Sequence, residues 1–168
     1  RHPCRLIISG SQISGLVSLS DLQQLPVRVA LFALITQLEM TMADAIRREL
    51  GNSDGWKDRL PSRRKDNIDC EREKAAADDN LVDDLLFTQF ADKITILRKS
   101  PAFQASTTRF KDEMSKAQKL RDSLAHANDY AATRGAAANI CAVVRSVEEW
   151  MKHLNDWPSK GPAVVKAA

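Results

Sequence analysis

The sequence predicts a mainly all-α fold: an antiparallel helical bundle of about five helices behind a short N-terminal β-hairpin stub. Three observations lead there. From Val27 onward, apolar residues return every three or four positions, the period of an amphipathic helix. Strand-like β-branched runs occur only ahead of Asp21. Six glycines and six prolines in 168 residues are too few for the tight turns of a sandwich or barrel.

The elements follow in order. Cys4-Arg5-Leu6-Ile7-Ile8-Ser9 reads as a strand, Gly10-Ser11 as a turn, and Ile13-Ser14-Gly15-Leu16-Val17-Ser18-Leu19 as a second strand. Ser20-Asp21 resembles a helix cap. Two strands alone make a marginal sheet, so the hairpin needs partners. The first helix is expected over Val27–Leu50, with Val27, Leu31, Leu34, Leu38, Met42 and Ala45 as its stripe, widened by Ile35 and Ile46. Gly51-Asn52 stops it. A polar, mostly solvated second helix is expected over Ser62–Ala77, its Arg63-Arg64-Lys65 cluster reading as wet surface rather than as an RNA contact. The third is expected over Leu81–Lys99, with Val82, Leu85, Leu86, Phe90, Ile94 and Leu97 inward, ended by Ser100-Pro101. The fourth is expected over Ser106–Ala127, burying Phe110, Met114, Ala117, Leu120 and Leu124. The fifth is expected over Ala137–Asp156, burying Ile140, Val143, Val144, Val147, Trp150, Met151 and Leu154. Three segments result: a stub at 1–25, a helical domain at 26–157 and a frayed tail at 158–168.

Composition bounds the function. With 43% apolar and 28% charged residues, a packed core is expected rather than disorder. A net charge of +3 permits a nucleic-acid partner without requiring one. Aromatics at 5%, with one tyrosine, argue against a stacking platform for single-stranded bases. The mild charge and the lack of a short recognition helix after a tight turn count against a DNA-binding protein. Three histidines exclude a His-rich metal cluster. Cys4, Cys70 and Cys141 are odd in number and nowhere spaced as C-x-x-C, which counts against a disulfide framework and a zinc ribbon. Reduced thiols in a cytoplasmic protein, with no metal and no cofactor, are the expectation. No apolar run approaches the ~18 residues of a membrane span, and no secretory signal is visible. The chain begins at Arg1 and enters an apolar segment at once, so its natural N-terminus is expected further upstream.

Gly15-Leu16-Val17-Ser18-Leu19-Ser20-Asp21-Leu22 resembles the closing strand and helix start of a CBS domain. In complete CBS pairs, a hydroxyl and a carboxylate at these places hold the ribose of an adenine nucleotide. The resemblance implies Ser18 and Asp21 for those roles. It covers about residues 1–25, without the first half of the repeat, so this piece cannot enclose a nucleotide by itself. Read as residues alone, Ser20 or Asp21 simply caps a helix.

Lys119-Leu120-Arg121-Asp122-Ser123-Leu124-Ala125-His126-Ala127-Asn128 places an Arg and a His five positions apart, late in a bundle helix. This segment resembles the Arg-x4-6-His motif of the HEPN superfamily, whose members are all-α, usually dimeric, and in many cases metal-independent ribonucleases. Leu38-Glu39, Trp56, Leu81-Val82-Asp83-Asp84-Leu85, Phe103 and Phe110 follow the order found in abortive-infection relatives, over about residues 27–157. The family often has Asn after the Arg; here Asp122 is anionic and partly offsets the charge of Arg121.

The resemblance implies RNA cleavage by the neighbouring 2′-hydroxyl. His126 would be the general acid or base, since imidazole titrates near neutrality. Arg121 would hold the scissile phosphate with its planar fork. Asp122, Glu39 and Asn128 are the supporting candidates, Glu39 through orienting Arg121. Five residues on an ideal helix turn through about 500°, so the two side chains leave ~140° apart, and a homodimer would bring two motifs together. The residues also permit other readings. Arg121 can be an edge residue snorkelling toward Glu39 or Asp122, His126 a helix C-terminal cap, and Glu39 a solvated carboxylate. His153 reads as surface, and His2 carries no signal. Two functions stay open: a defence or stress ribonuclease coupled to a CBS nucleotide sensor, or a non-catalytic dimerisation or nucleotide-binding module that transmits the CBS state.

Overall fold

The computed structural model describes residues 4–51, 54–78, 83–103, 106–126 and 128–156. The chain is mainly α-helical with an N-terminal two-stranded antiparallel hairpin, as the sequence predicts. The strands are β1 (Cys4–Ser9) and β2 (Gln12–Ser18). The helices are α1 (Leu25–Leu50), α2 (Ser62–Ala77), α3 (Phe90–Arg98), α4 (Thr107–Ala125) and α5 (Arg134–Asn155). Short 3-10 turns lie at Leu19–Gln23, Asp54–Arg59, Asp84–Phe87 and Pro101–Phe103. Leu81, Val82, Ala127 and the tail at 158–168 lie outside the described residues.

The described residues fall into two compact units, where the sequence places a boundary near residue 26. One unit comprises Arg1–Gln37 with Glu113–Glu149, the other Leu38–Asp112 with Trp150–Ala168. The hairpin belongs to the first. Gly10 turns it at φ 62, a left-handed angle that glycine adopts without a Cβ clash. Register pairs Leu6 with Leu16 and Ile8 with Ile13, which puts these four on one face, all exposed. Arg5 pairs with Val17 and Ile7 with Gly15 on the other face. The first unit buries Ile35 from α1, Met114, Ala117, Leu120 and Leu124 from α4, and Ala137, Ile140 and Val147 from α5. That α4 stripe matches the periodicity, because each residue sits three or four after the last.

α1 starts two residues earlier than expected, with Pro26 in its first turn, where the missing N–H costs nothing. Gly51 ends it at φ 72 and donates its N–H to the Arg47 carbonyl at 2.8 Å, a left-handed cap. One sequence expectation is corrected here. α1 is long and apolar enough to cross a bilayer by length and composition, with a mean hydropathy of 1.5 over its most apolar stretch. No unbroken apolar run is needed when few charges interrupt the window. A buried core helix passes the same test, and 44% of this window is buried.

The second unit holds the larger core. Leu38, Met42 and Ile46 of α1, Trp56, Phe90, Leu97, Phe103 and Phe110 are buried. Phe103, Phe110 and Trp150 form a cluster, with ring centroids 4.5 Å apart for the tilted first pair and 4.9 Å for the edge-on pair of Phe110 and Trp150. Each such ring stabilises by about 2–3 kcal/mol through burial alone. α2 has the expected bounds and buries Ile68.

The third helix is corrected: the expected Leu81–Lys99 element is a 3-10 turn at Asp84–Phe87 and then the nine-residue α3. Local side-chain bonds interrupt it. Asp83 accepts the Leu85 N–H at 2.9 Å, the Thr88 hydroxyl donates to the Leu85 carbonyl at 2.6 Å, and Asp92 accepts the Gln89 N–H at 2.8 Å. Leu86, expected inward, is 61% exposed as a result. α5 begins earlier than expected because the Thr133 hydroxyl accepts the Ala136 N–H at 3.1 Å.

Candidate functional site

The Arg121–His126 segment lies at the C-terminal end of α4, in the first unit. The His126 N–H donates to the Asp122 carbonyl at 3.1 Å, so helical hydrogen bonding persists through His126. The Asn128 N–H then reaches the Ser123 carbonyl at 3.0 Å in a wider closing turn. The helix therefore does not end between the two residues, and their side chains leave ~140° apart. Arg121 is half-buried, while Asp122, His126 and Asn128 are exposed. Within one chain, helix geometry sets Arg121 and His126 on different faces.

This helix end is held by a residue the sequence reading missed. Arg28 of α1 donates from Nη1 to the Leu124 carbonyl at 3.0 Å and the Ser123 carbonyl at 3.3 Å. Its Nη2 donates to the Asn128 carbonyl at 3.1 Å. A guanidinium suits this task because the last carbonyls of a helix lack partners and carry the negative end of its dipole. The same guanidinium lies 4.9 Å over the Tyr130 ring. The Tyr130 hydroxyl donates to the Leu22 carbonyl, and Gln23 Nε2 donates to Asp129. Burial raises the Tyr130 phenol above its usual value, against the opposing pull of Arg28. A signal was present in the sequence: Arg28 is the one charge between Leu25 and Leu38.

A second feature lies on the same helix. Lys119 and His126, seven residues apart, fall within about 20° of each other around α4, on the face that carries Lys116 and Ser123. That face borders a groove of about 520 Å³ whose lining includes Glu113, Lys116, Lys119 and Ser123 of α4, Tyr130, and Asn139 of α5. Two ammonium groups and an exposed imidazole thus share one face, and ammonium groups suit phosphate as point charges. Spacings of three and four from Lys116 to His126 carried this signal.

The remaining candidates are placed as follows. Glu39 belongs to the second unit, where it accepts from Lys93 Nζ at 3.2 Å. Arg64 of the basic cluster is clamped on Asp92, with Nε to Oδ1 at 3.0 Å and Nη2 to Oδ2 at 2.5 Å, and Lys65 binds Asp58 at 2.8 Å. His153 is exposed, with its ring edge-on to Trp150 at 5.4 Å.

Ser18 and Asp21 are brought together. Asp21 Oδ2 accepts the Ser18 N–H at 2.6 Å and the Ser18 hydroxyl at 2.9 Å. These bonds, the backbone one first, hold the Asp21 carboxyl below the usual carboxylate range. The capping place expected at Ser20 is taken by Ser18. Among the described residues, no group of three His, Cys, Asp or Glu side chains is arranged to hold a metal ion. No family model, curated protein or solved structure matches the chain, so its chemistry is argued from these residues.

Proposed function

We propose that the helical part of this chain is a cytoplasmic, HEPN-like endoribonuclease that needs no metal ion, built to act as a homodimer. The observation that carries this reading is the α4 face on which the exposed His126 stands within about 20° of Lys119, with Lys116 about 60° further round beside an open groove. Lys116 and Lys119 hold the phosphates of an RNA strand. His126 takes the proton of the 2′-hydroxyl or delivers one to the departing 5′-oxygen. The 2′-oxygen bonds to phosphorus as the bond to the 5′-oxygen breaks, leaving a cyclic phosphate. Arg121, on the other face of α4, supplies the phosphate-holding fork from the second copy. A complete CBS pair upstream would add sensing of an adenine nucleotide through Ser18 and Asp21, as a defence or stress effector requires.

The test is incubation of the chain with total RNA and with tRNA. Wild type cleaves in the presence of a chelator, while His126→Ala and Arg121→Ala are each inactive and remain folded. Mixing the two inactive variants restores a fraction of the activity, because mixed dimers contain one intact site. Undiminished cleavage by His126→Ala would falsify the proposal.

A second reading is favoured by the unbroken helix between Arg121 and His126. In it the chain is a non-catalytic dimerisation or nucleotide-binding module that transmits a CBS state. It gives no cleavage of any RNA and a stable two-fold dimer.

A further inference from the structure

An open cavity of about 510 Å³ lies between the hairpin and α5, inside the first unit and separate from Arg121 and His126. Hairpin register builds one wall. Arg5 and Val17 are cross-strand partners, so their side chains share the face turned away from Leu6 and Leu16. Leu19 and Leu22 of the 3-10 turn add apolar surface, and Ala137, Ala138 and Cys141 of α5 form the far wall. Arg134, the first residue of α5, stands at the rim.

The electrostatics are one-sided. The lining holds two guanidiniums and no carboxylate. Neither Arg5 nor Arg134 has a hydrogen-bonding or ionic partner among the described residues. Asp21, the nearby acid, spends one oxygen on Ser18, and the Ser18 hydroxyl is already bonded to Asp21 and Ser20. Apart from the weak Cys141 thiol, the guanidiniums are therefore the only uncommitted hydrogen-bond donors among the lining side chains. A volume of this size falls within the range of small-molecule sites, which are mostly apolar with a few placed polar groups.

We infer that this cavity binds a small phosphate monoester with an apolar, ring-sized body. Arg5 and Arg134, both exposed, take the phosphate oxygens with the planar fork that suits phosphate. Val17, Leu19, Leu22 and Ala137 take the body. A body rich in donors and acceptors, such as a nucleobase, finds no uncommitted side-chain partner on these walls and loses its hydration without return.

The exposed thiol of Cys141 reports occupancy, and the exposed Cys70 in the second unit serves as internal reference. In a Cys4→Ser chain, 1-naphthyl phosphate should slow alkylation of Cys141 saturably and leave Cys70 unchanged. Arg5→Gln and Arg134→Gln, with unchanged circular dichroism, should each weaken that protection on the order of tenfold, the loss of one charge-assisted hydrogen bond. Arg63→Gln should leave it alone. Probes on the otherwise unaltered chain test the same idea without relying on the arginine variants. Equal protection by 1-naphthol overturns the role of the arginines, equal protection by inorganic phosphate overturns the apolar body, and stronger protection by AMP overturns the choice of class.

Discussion

The two compact units keep their polar groups in different company. In the second unit, charge meets charge. Lys57 Nζ, itself buried, lies 2.6 Å from Asp84, 3.0 Å from Asp69 and 3.5 Å from Asp54. Arg59 binds Glu49 at 2.7 Å, Arg64 binds Asp92 at 2.5 Å, and Arg47 bridges Asp44 and Asp83. In the first unit, charge meets neutral groups: Arg28 reaches three carbonyls, and the carboxylates of Asp21 and Asp129 accept from Ser18 and Gln23. Arg5 and Arg134 are left with no partner there. The second unit also buries the aromatic cluster, whereas the first shows Leu6, Ile8, Ile13 and Leu16 to water. Stability is thus concentrated in one region, and unsatisfied binding capacity in the other. This is the division expected when the elements that engage ligands come from the less self-satisfied part of a fold.

The largest expected effect tests the stable side. Phe110→Ala removes a fully buried ring from the cluster with Phe103 and Trp150. It should cost about 3–5 kcal/mol in urea unfolding. A loss under about 1 kcal/mol would show that the cluster does not anchor the unit.

Lys57→Ala comes next, because it strands Asp84 and Asp69 without their shared cation. About 2 kcal/mol is expected for hydrogen bonds to a charged group. Burial alone would lower the Lys57 pKa, but the bonds its ammonium donates to Asp84 and Asp69 outweigh it and leave it raised. Its stabilisation is therefore complete below the usual lysine value and fades as pH rises through the higher folded one. Unfolding from pH 9 to 12 should show this loss, and Lys57→Ala should flatten the curve.

Arg28→Ala should cost about 1–2 kcal/mol by uncapping α4. Hydrogen exchange should quicken for amides near Ser123–Asn128 and stay unchanged in α2. Uniform quickening would contradict a local cap.

Acid should act more gently and unevenly. Asp58, Asp69 and Asp83 of the second unit are all held below their ordinary values. For the first two the main cause is a hydrogen bond from a lysine, Lys65 or Lys57. For Asp83, burial pulls upward, and the Leu85 N–H and Arg47 more than offset it. Depressed carboxylates contribute stability that is complete above their unfolded pKa and lost as pH falls through the folded one. Exchange measured from pH 5 down to pH 3 should therefore weaken the second unit first.

The smallest effect belongs to the proposed catalytic histidine. His126→Ala should shift stability by no more than about 0.5 kcal/mol, as expected for an exposed side chain. A larger loss would assign it to structure.

Periodicity made α4 and α5 legible to within a few residues, because their cores repeat every three or four positions and nothing local competes; α2, which buries Ile68 alone, was legible as a polar, solvated helix. It failed for the third helix, where Asp83, Thr88 and Asp92 offer the backbone side-chain bonds that an apolar count does not weigh. Arg121 and His126 were visible as a motif. The Arg28 cap was not, since it joins positions 95 to 100 residues apart in the chain. Lys116, Lys119, Ser123 and His126 stand three, four and three positions apart, a spacing that is legible in the sequence.

The hairpin has one more consequence, for the behaviour of the protein in a test tube. Arg5 is the one charged residue on its two strands, and the strands are otherwise aliphatic, hydroxylic, thiol or amide in character. Charge on an exposed strand is what discourages edge-to-edge association. Removing it in Arg5→Gln leaves bare aliphatic surface, which excluded salts such as sulfate drive together. That variant should scatter light at lower protein and sulfate concentrations than Arg134→Gln. Colloidal stability and anion recognition would then rest on the same guanidinium.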